Sequence, residues 1–114
     1  MQSNFSVDVR EGEQAVVVDV RGELDLASSP ALEQRLESRE VRSAGLVIVD
    51  LRQLDFMDST GLSVLVRAHQ RAASNGQRFA VVRGPQQVQR LLTLTGVAER
   101  LTLADTPEEL LATG

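Results

Sequence analysis

Cysteine is absent from this chain, which excludes disulfide frameworks, thiolate metal sites and thiol nucleophiles. Lysine is absent too. All twelve basic residues are arginine, the usage a GC-rich genome imposes. Without lysine there can be no P-loop lysine, no Schiff-base lysine and no Ser–Lys dyad. Aromatic rings are scarce: three phenylalanines, with no tryptophan or tyrosine, on a formal net charge of −4. A sequence-independent nucleic-acid binder needs a basic surface and stacking rings, so no direct nucleic-acid partner is expected. No apolar run approaches the ~20 residues of a membrane span. The opening Met1 to Ser6 carries neither the basic nor the apolar region of a signal peptide. A cytoplasmic protein with no membrane partner is the expectation.

What is present suits one ordinary globular domain over residues 1–114. A chain of this length buries roughly two-thirds of its unfolded surface, enough for a core without staples. Phe5, Val7 and Val9 alternate with Ser6, Asp8 and Arg10, as in a half-buried strand. Glu11-Gly12-Glu13 turns the chain, and alternation resumes from Ala15 to Arg21, which predicts an antiparallel hairpin. Gly22 to Leu26 reads as an irregular extension. Ser29-Pro30 reads as the N-cap and first residue of a helix reaching about Glu40. Leu46 to Leu51 is an apolar strand broken only by Asp50, and its lack of alternation predicts burial on both faces.

After a short loop, Leu62, Leu65, Val66, His69, Ala72 and Ala73 fall on one helical face, and Asn75-Gly76 closes that helix. Arg78 to Arg83 is a further strand. Gly84-Pro85 opens a helix carrying Val88, Leu91 and Leu92 and ending at Gly96. Leu101 to Leu103 is a short strand, and Thr106-Pro107 with Glu109 forms a capping box for a last helix. The order ββαβαβαβα predicts an α/β mixed sheet: first strand antiparallel, remainder mostly parallel.

A polar cluster, Asp58-Ser59-Thr60-Gly61, stands where the apolar strand region hands over to a helix. Unpaired N–H groups and the positive end of a helix dipole gather at such a place. A nucleophilic role for Ser59 needs a base within hydrogen-bond reach. The one histidine, His69, lies ten residues along the same helix, ~15 Å of rise, and its phase is structural. The motif is not a G-x-S-x-G elbow either. Asp25, Asp50, Asp55 and Asp58 form a carboxylate group with no recognised metal spacing. The plainer reading of Asp58 is helix capping, with Met57 and Leu62 as a hydrophobic staple. Phe56 and Met57 read equally as anchors for a partner. With Asp58 as N-cap, Ser59 is the first helical residue and points outward. A phosphoryl group there would not melt the helix, because that end favours negative charge. Ser59 as a plain first-turn residue remains open from physics alone.

Gly22-Glu-Leu-Asp25, Val47-Ile-Val-Asp-Leu51 and Phe56-Met-Asp-Ser-Thr-Gly-Leu62 together resemble the STAS domain, and more narrowly the bacterial anti-sigma factor antagonists. The resemblance spans nearly the whole chain. It implies a mixed sheet with helices packed mainly on one face and no catalytic machinery or cofactor of the chain's own. It implies that Ser59 is phosphorylated by a partner that is both anti-sigma factor and serine kinase, with ATP supplied through that kinase. The unphosphorylated antagonist would bind the kinase, the sigma factor would be released, and a phosphoserine phosphatase would restore the antagonist. Asp25, Phe56, Met57, Asp58, Thr60, Gly61 and Leu62 would make the partner surface. Thr60 stands where the family commonly has serine, and Ser63 where it has glycine. A STAS scaffold with a non-sigma output is the alternative. A nucleotide or small-molecule phosphate binder lacks a glycine-rich loop to support it.

Overall fold

The computed structural model describes residues 4–112. Strands β1 (Phe5–Glu11) and β2 (Ala15–Leu24) form the expected antiparallel hairpin, with Val7 opposite Val20. Strands β3 (Leu46–Met57), β4 (Arg78–Val82) and β5 (Thr102–Ala104) then add in parallel. The sheet order is β1-β2-β3-β4-β5, so each strand lies beside the one before it in sequence.

The helices are α1 (Ser29–Leu36), α2 (Arg39–Arg42), α3 (Ser59–Ser74), α4 (Gln86–Leu94) and α5 (Pro107–Ala112). Val16, Val18 and Val20 of β2, Val47 and Val49 of β3, and Phe79 and Val81 of β4 share one sheet face. Leu32, Leu36, Leu62, Leu65, Val88 and Leu92, from α1, α3 and α4, join them in the main core. Each fully buried Leu or Val there contributes about 1.5–3 kcal/mol. The opposite face carries a smaller cluster of Val17, Leu46, Ile48 and Val82, against which Leu110 of α5 packs. Helices therefore lie mainly on one face.

Several boundaries differ from the sequence expectation. Residues 52–57, expected as loop, continue β3, and β2 runs on to Leu24. The buried positions there are Leu51, Leu54 and Met57, a spacing of three that hides the strand from a period of two. Register shifts between β2 and β3, at Asp19/Arg21 and Gly22/Glu23, absorb the extra residues. The first helix ends at Leu36 rather than near Glu40. Ser38 is extended there (φ −66°, ψ 158°), its hydroxyl donates to the Arg35 carbonyl at 2.7 Å, and α2 starts afresh. Its cap is also one residue earlier, at Ser28, with Ser29 buried in the first turn. On α3 the buried face is Leu62, Val64, Leu65, Ala68 and Ala72, while Val66 and His69 are half-buried and Ala73 is exposed. The stripe is thus rotated toward Val64 and Ala68. The α3 C-terminus closes as expected: Gly76 takes φ 70°, and the Gln77 N–H donates to the Ala72 carbonyl at 2.8 Å.

Candidate functional site

The ends of β2 and β3 and the start of α3 meet at one place. Leu24 is paired with Met57 across the two strands. One residue further along each chain stand Asp25 and Asp58, so the register brings both carboxylates to the same end of the sheet. Asp58 is extended (φ −104°, ψ −173°), and its Oδ1 accepts from the N–H groups of Thr60 (2.9 Å) and Gly61 (3.1 Å). Its carbonyl accepts the Leu62 N–H at 3.0 Å, and its own N–H donates to the Leu24 carbonyl at 3.1 Å. Asp58 thus caps α3 and ties it to β2 at once. Three of the first four N–H groups of the helix are taken.

Gly61 explains how closely the helix sits. A Cβ at this position would stand 2.6 Å from Leu24 Cγ and 3.0 Å from Met57 Cγ. Leu24 is fully buried and cannot yield easily, so only glycine lets the first turn of α3 rest on it.

Above this seat Ser59 is exposed and Thr60 is half-buried. The Ser63 hydroxyl donates back to the Ser59 carbonyl at 3.0 Å, so it lies along the helix rather than over Ser59. Asp25 is half-buried and organises its own loop. Its Oδ1 accepts from the N–H groups of Ala27 and Ser28, each at 3.1 Å. The Asp25 N–H donates to Ser28 Oγ at 2.9 Å, and the Ser28 hydroxyl donates to the Glu23 carbonyl at 2.7 Å.

Phe56 is 46% exposed and Leu26 74% exposed. Leu26 was not singled out from the sequence; the signal was an apolar residue falling outside any periodic run, beside Asp25. Met57, Gly61 and Leu62 are buried. That corrects the reading of these three as surface contacts: Met57 and Leu62 belong to the main core and support the exposed residues from beneath. Sequence reasoning also missed Ser28, buried among polar partners, and Gln87, whose side-chain amide donates to the Asp55 carbonyl at 2.9 Å.

The charge around the site is one-sided. Glu23, Asp25, Asp55 and Asp58 form no ion pair among the described residues; the arginines that do pair, Arg10, Arg52, Arg67, Arg71 and Arg83, do so elsewhere, with Asp19, Asp50, Glu33, Glu37 and Asp105. Asp50 is separate from this group: it is buried at 3% exposure and bound by Arg52 at 2.8 Å. Burial pushes its carboxyl up, but hydrogen bonds from the Arg52 side chain and backbone, the Arg52 charge and Asp19 together hold it below its ordinary value. Among the described residues no group of three or more His, Cys, Asp or Glu could hold a metal ion. His69 sits on α3 with its ring edge-on to Phe79, centroids 5.9 Å apart, a packing role far from Ser59.

A five-stranded mixed sheet with helices mainly on one face and an Asp-capped serine at a strand–helix junction defines a class of small α/β domain. The STAS domain family model matches residues 6–110, and the chain belongs to that family. It is 30% identical over 101 residues to an anti-sigma-B factor antagonist of Bacillus subtilis, covering 89% of this chain and 92% of that one. It is 25% identical over 108 residues to an anti-sigma-B factor antagonist of Listeria monocytogenes, covering 94% and 95%. The crystal structure of an anti-sigma factor antagonist from Mycobacterium paratuberculosis is similar at TM-score 0.86 and 28% identity, over 96% of this chain and 92% of that one. Among the described residues no helix is long and apolar enough to cross a membrane.

Proposed function

We propose that this chain is an anti-sigma factor antagonist, a regulatory binding protein rather than an enzyme. Unphosphorylated, it binds an anti-sigma factor that is also a serine kinase, and the sigma factor is released. Phosphorylation of Ser59 ends that binding, and a phosphoserine phosphatase reverses it. ATP comes with the kinase. The observation that carries this reading is the cap: Asp58 holds Ser59 exposed at the first position of α3, beside the end of β2.

The chemistry follows from which donors are already used. A phosphoryl group on Ser59 adds roughly −1.5 to −2 charges. The Thr60 and Gly61 N–H groups already serve the Asp58 carboxylate, so the helix end neutralises little of the new charge. It is displayed outward, among Glu23, Asp25 and Asp55. A dianion carried into a desolvated contact costs several kcal/mol, and about 4 kcal/mol is roughly a thousandfold in affinity. Asp25, Phe56, Thr60 and Leu26 make the contacting surface, while Met57, Gly61 and Leu62 hold it in shape.

The test is mass spectrometry after incubation with ATP and anti-sigma kinases from the same cell, with Ser59→Ala alongside. One added phosphate in the wild type and none in the variant is the expected result. A phosphate that persists in Ser59→Ala moves the acceptor to Thr60 or beyond. Stable kinase binding with no phosphate in either protein contradicts the switch.

A further inference from the structure

At the end of α3 remote from Ser59, a cavity of about 270 Å³ opens between α1–α2 and α3. Its floor includes Leu36, Ala68 and Phe79, and Arg42, Arg71 and Glu37 stand at its mouth. A cavity of about 150 Å³ accepts benzene, so this one has room for a ring and a short polar arm. One wall is fixed in advance: the Gln77 side-chain amide reaches the carbonyls of Val41, Arg42 and Ala44 at 2.8 to 3.0 Å.

The two guanidinium groups at the mouth have donors to spare. Arg42 makes no ion pair among the described residues. Arg71 lies 3.9 Å from Glu33 and 3.7 Å from Glu37, too far for hydrogen bonds to either. Glu33 is already gripped by Arg67 through two bonds of 2.9 and 3.2 Å. With Glu37 counted, the mouth keeps one positive charge. The negative end of α3 does not cancel it, because the Ala72 and Ala73 carbonyls are capped by the N–H groups of Gln77, Gly76 and Asn75.

We infer that this cavity is a binding site for a small apolar carboxylate, an aromatic or compact aliphatic acid, whose body lies on the Leu36–Ala68–Phe79 floor and whose carboxylate meets Arg42 and Arg71. A planar fork of N–H donors suits a carboxylate by geometry as well as charge. The site shares no residue with the Ser59 surface, so either assignment can fail while the other stands.

The experiment is a titration of the full chain, followed by amide chemical shifts, with phenylacetate, with its neutral analogue phenylacetamide, and with acetate. Phenylacetate should shift resonances of Leu36, Ala68 and Phe79. The amide and acetate should bind at least about tenfold more weakly, a difference worth about 1.4 kcal/mol. Arg42→Gln changes an exposed side chain and should weaken phenylacetate about tenfold, while Ala68→Leu, which fills the floor, should abolish binding. If Ala68→Leu does not fold, Arg42→Gln with the amide comparison decides alone. Equal binding of acid and amide overturns the assignment, as does no saturable shift, or shifts confined to residues outside the cavity.

Discussion

At the scale of single residues, Asp58 and Gly61 do different work for Ser59, and substitutions should separate them. Asp58→Ala removes the acceptor for two helix N–H groups and should cost about 0.5–2 kcal/mol, read as a lower urea midpoint. Gly61→Ala is the sharper case. Helix propensity alone favours alanine by about 1 kcal/mol. The added Cβ would stand 2.6 Å from Leu24 Cγ, and overpacking of that kind costs about 1–3 kcal/mol. The clash should win, and the variant should be less stable than the wild type. A more stable Gly61→Ala protein would show that the close seat of α3 on β2 is not what holds the site. Ser59→Glu, by contrast, changes an exposed side chain at the first helical position, where a surface substitution usually alters stability by no more than about 0.5 kcal/mol. It should leave the melting temperature within about 2 °C of wild type while weakening kinase binding at least tenfold.

At the scale of elements, β3 joins the core to the site. Asp50 lies midway along it, buried and bound by Arg52. Its carboxyl is held below its ordinary value in the folded chain, so the stability it contributes is complete above the usual carboxylate range, about pH 4. That stability is lost as pH falls through the lower folded value. In Arg52→Ala the pull of burial is left largely unopposed, so the acid-unfolding midpoint, followed by circular dichroism, should move to higher pH. An unchanged midpoint would remove Arg52 as the cause.

The elements were unequally legible in the sequence. The hairpin, α3 and its Asp58 cap follow from alternation, helical phase and capping chemistry, each of which is local. The second half of β3 does not, because its buried residues fall at a spacing of three and its pairing depends on register shifts with β2. The break after Leu36 rests on a serine hydroxyl folding back to the Arg35 carbonyl, a choice no periodicity announces. For the site, Ser59 and Asp58 could be named from their position before an apolar helix. Met57 and Leu62 read both as a buried staple and as partner contacts, and their burial in the main core selects the staple; an apolar residue beside a polar cluster serves as support or as contact until the sheet face it lies on is known.

At the scale of the whole molecule, charge and exposed apolar surface are distributed unevenly. Leu26 and Phe56 are exposed near four carboxylates that have no ion pair among the described residues. Replacing both with serine should leave the fold intact, since neither belongs to the core, yet raise the Kd for the kinase at least tenfold, measurable by calorimetry. Unchanged affinity would move the contact elsewhere on the surface. The strand order has its own consequence for how such a molecule is made. Because the sheet order is β1-β2-β3-β4-β5, every strand after β1 that leaves the ribosome meets a neighbour that has already emerged. No late segment must be inserted between earlier ones. The residues that seat Ser59, from Leu24 through Gly61, are all synthesised before β4, so this corner of the fold can form on the growing chain before the far edge of the sheet exists.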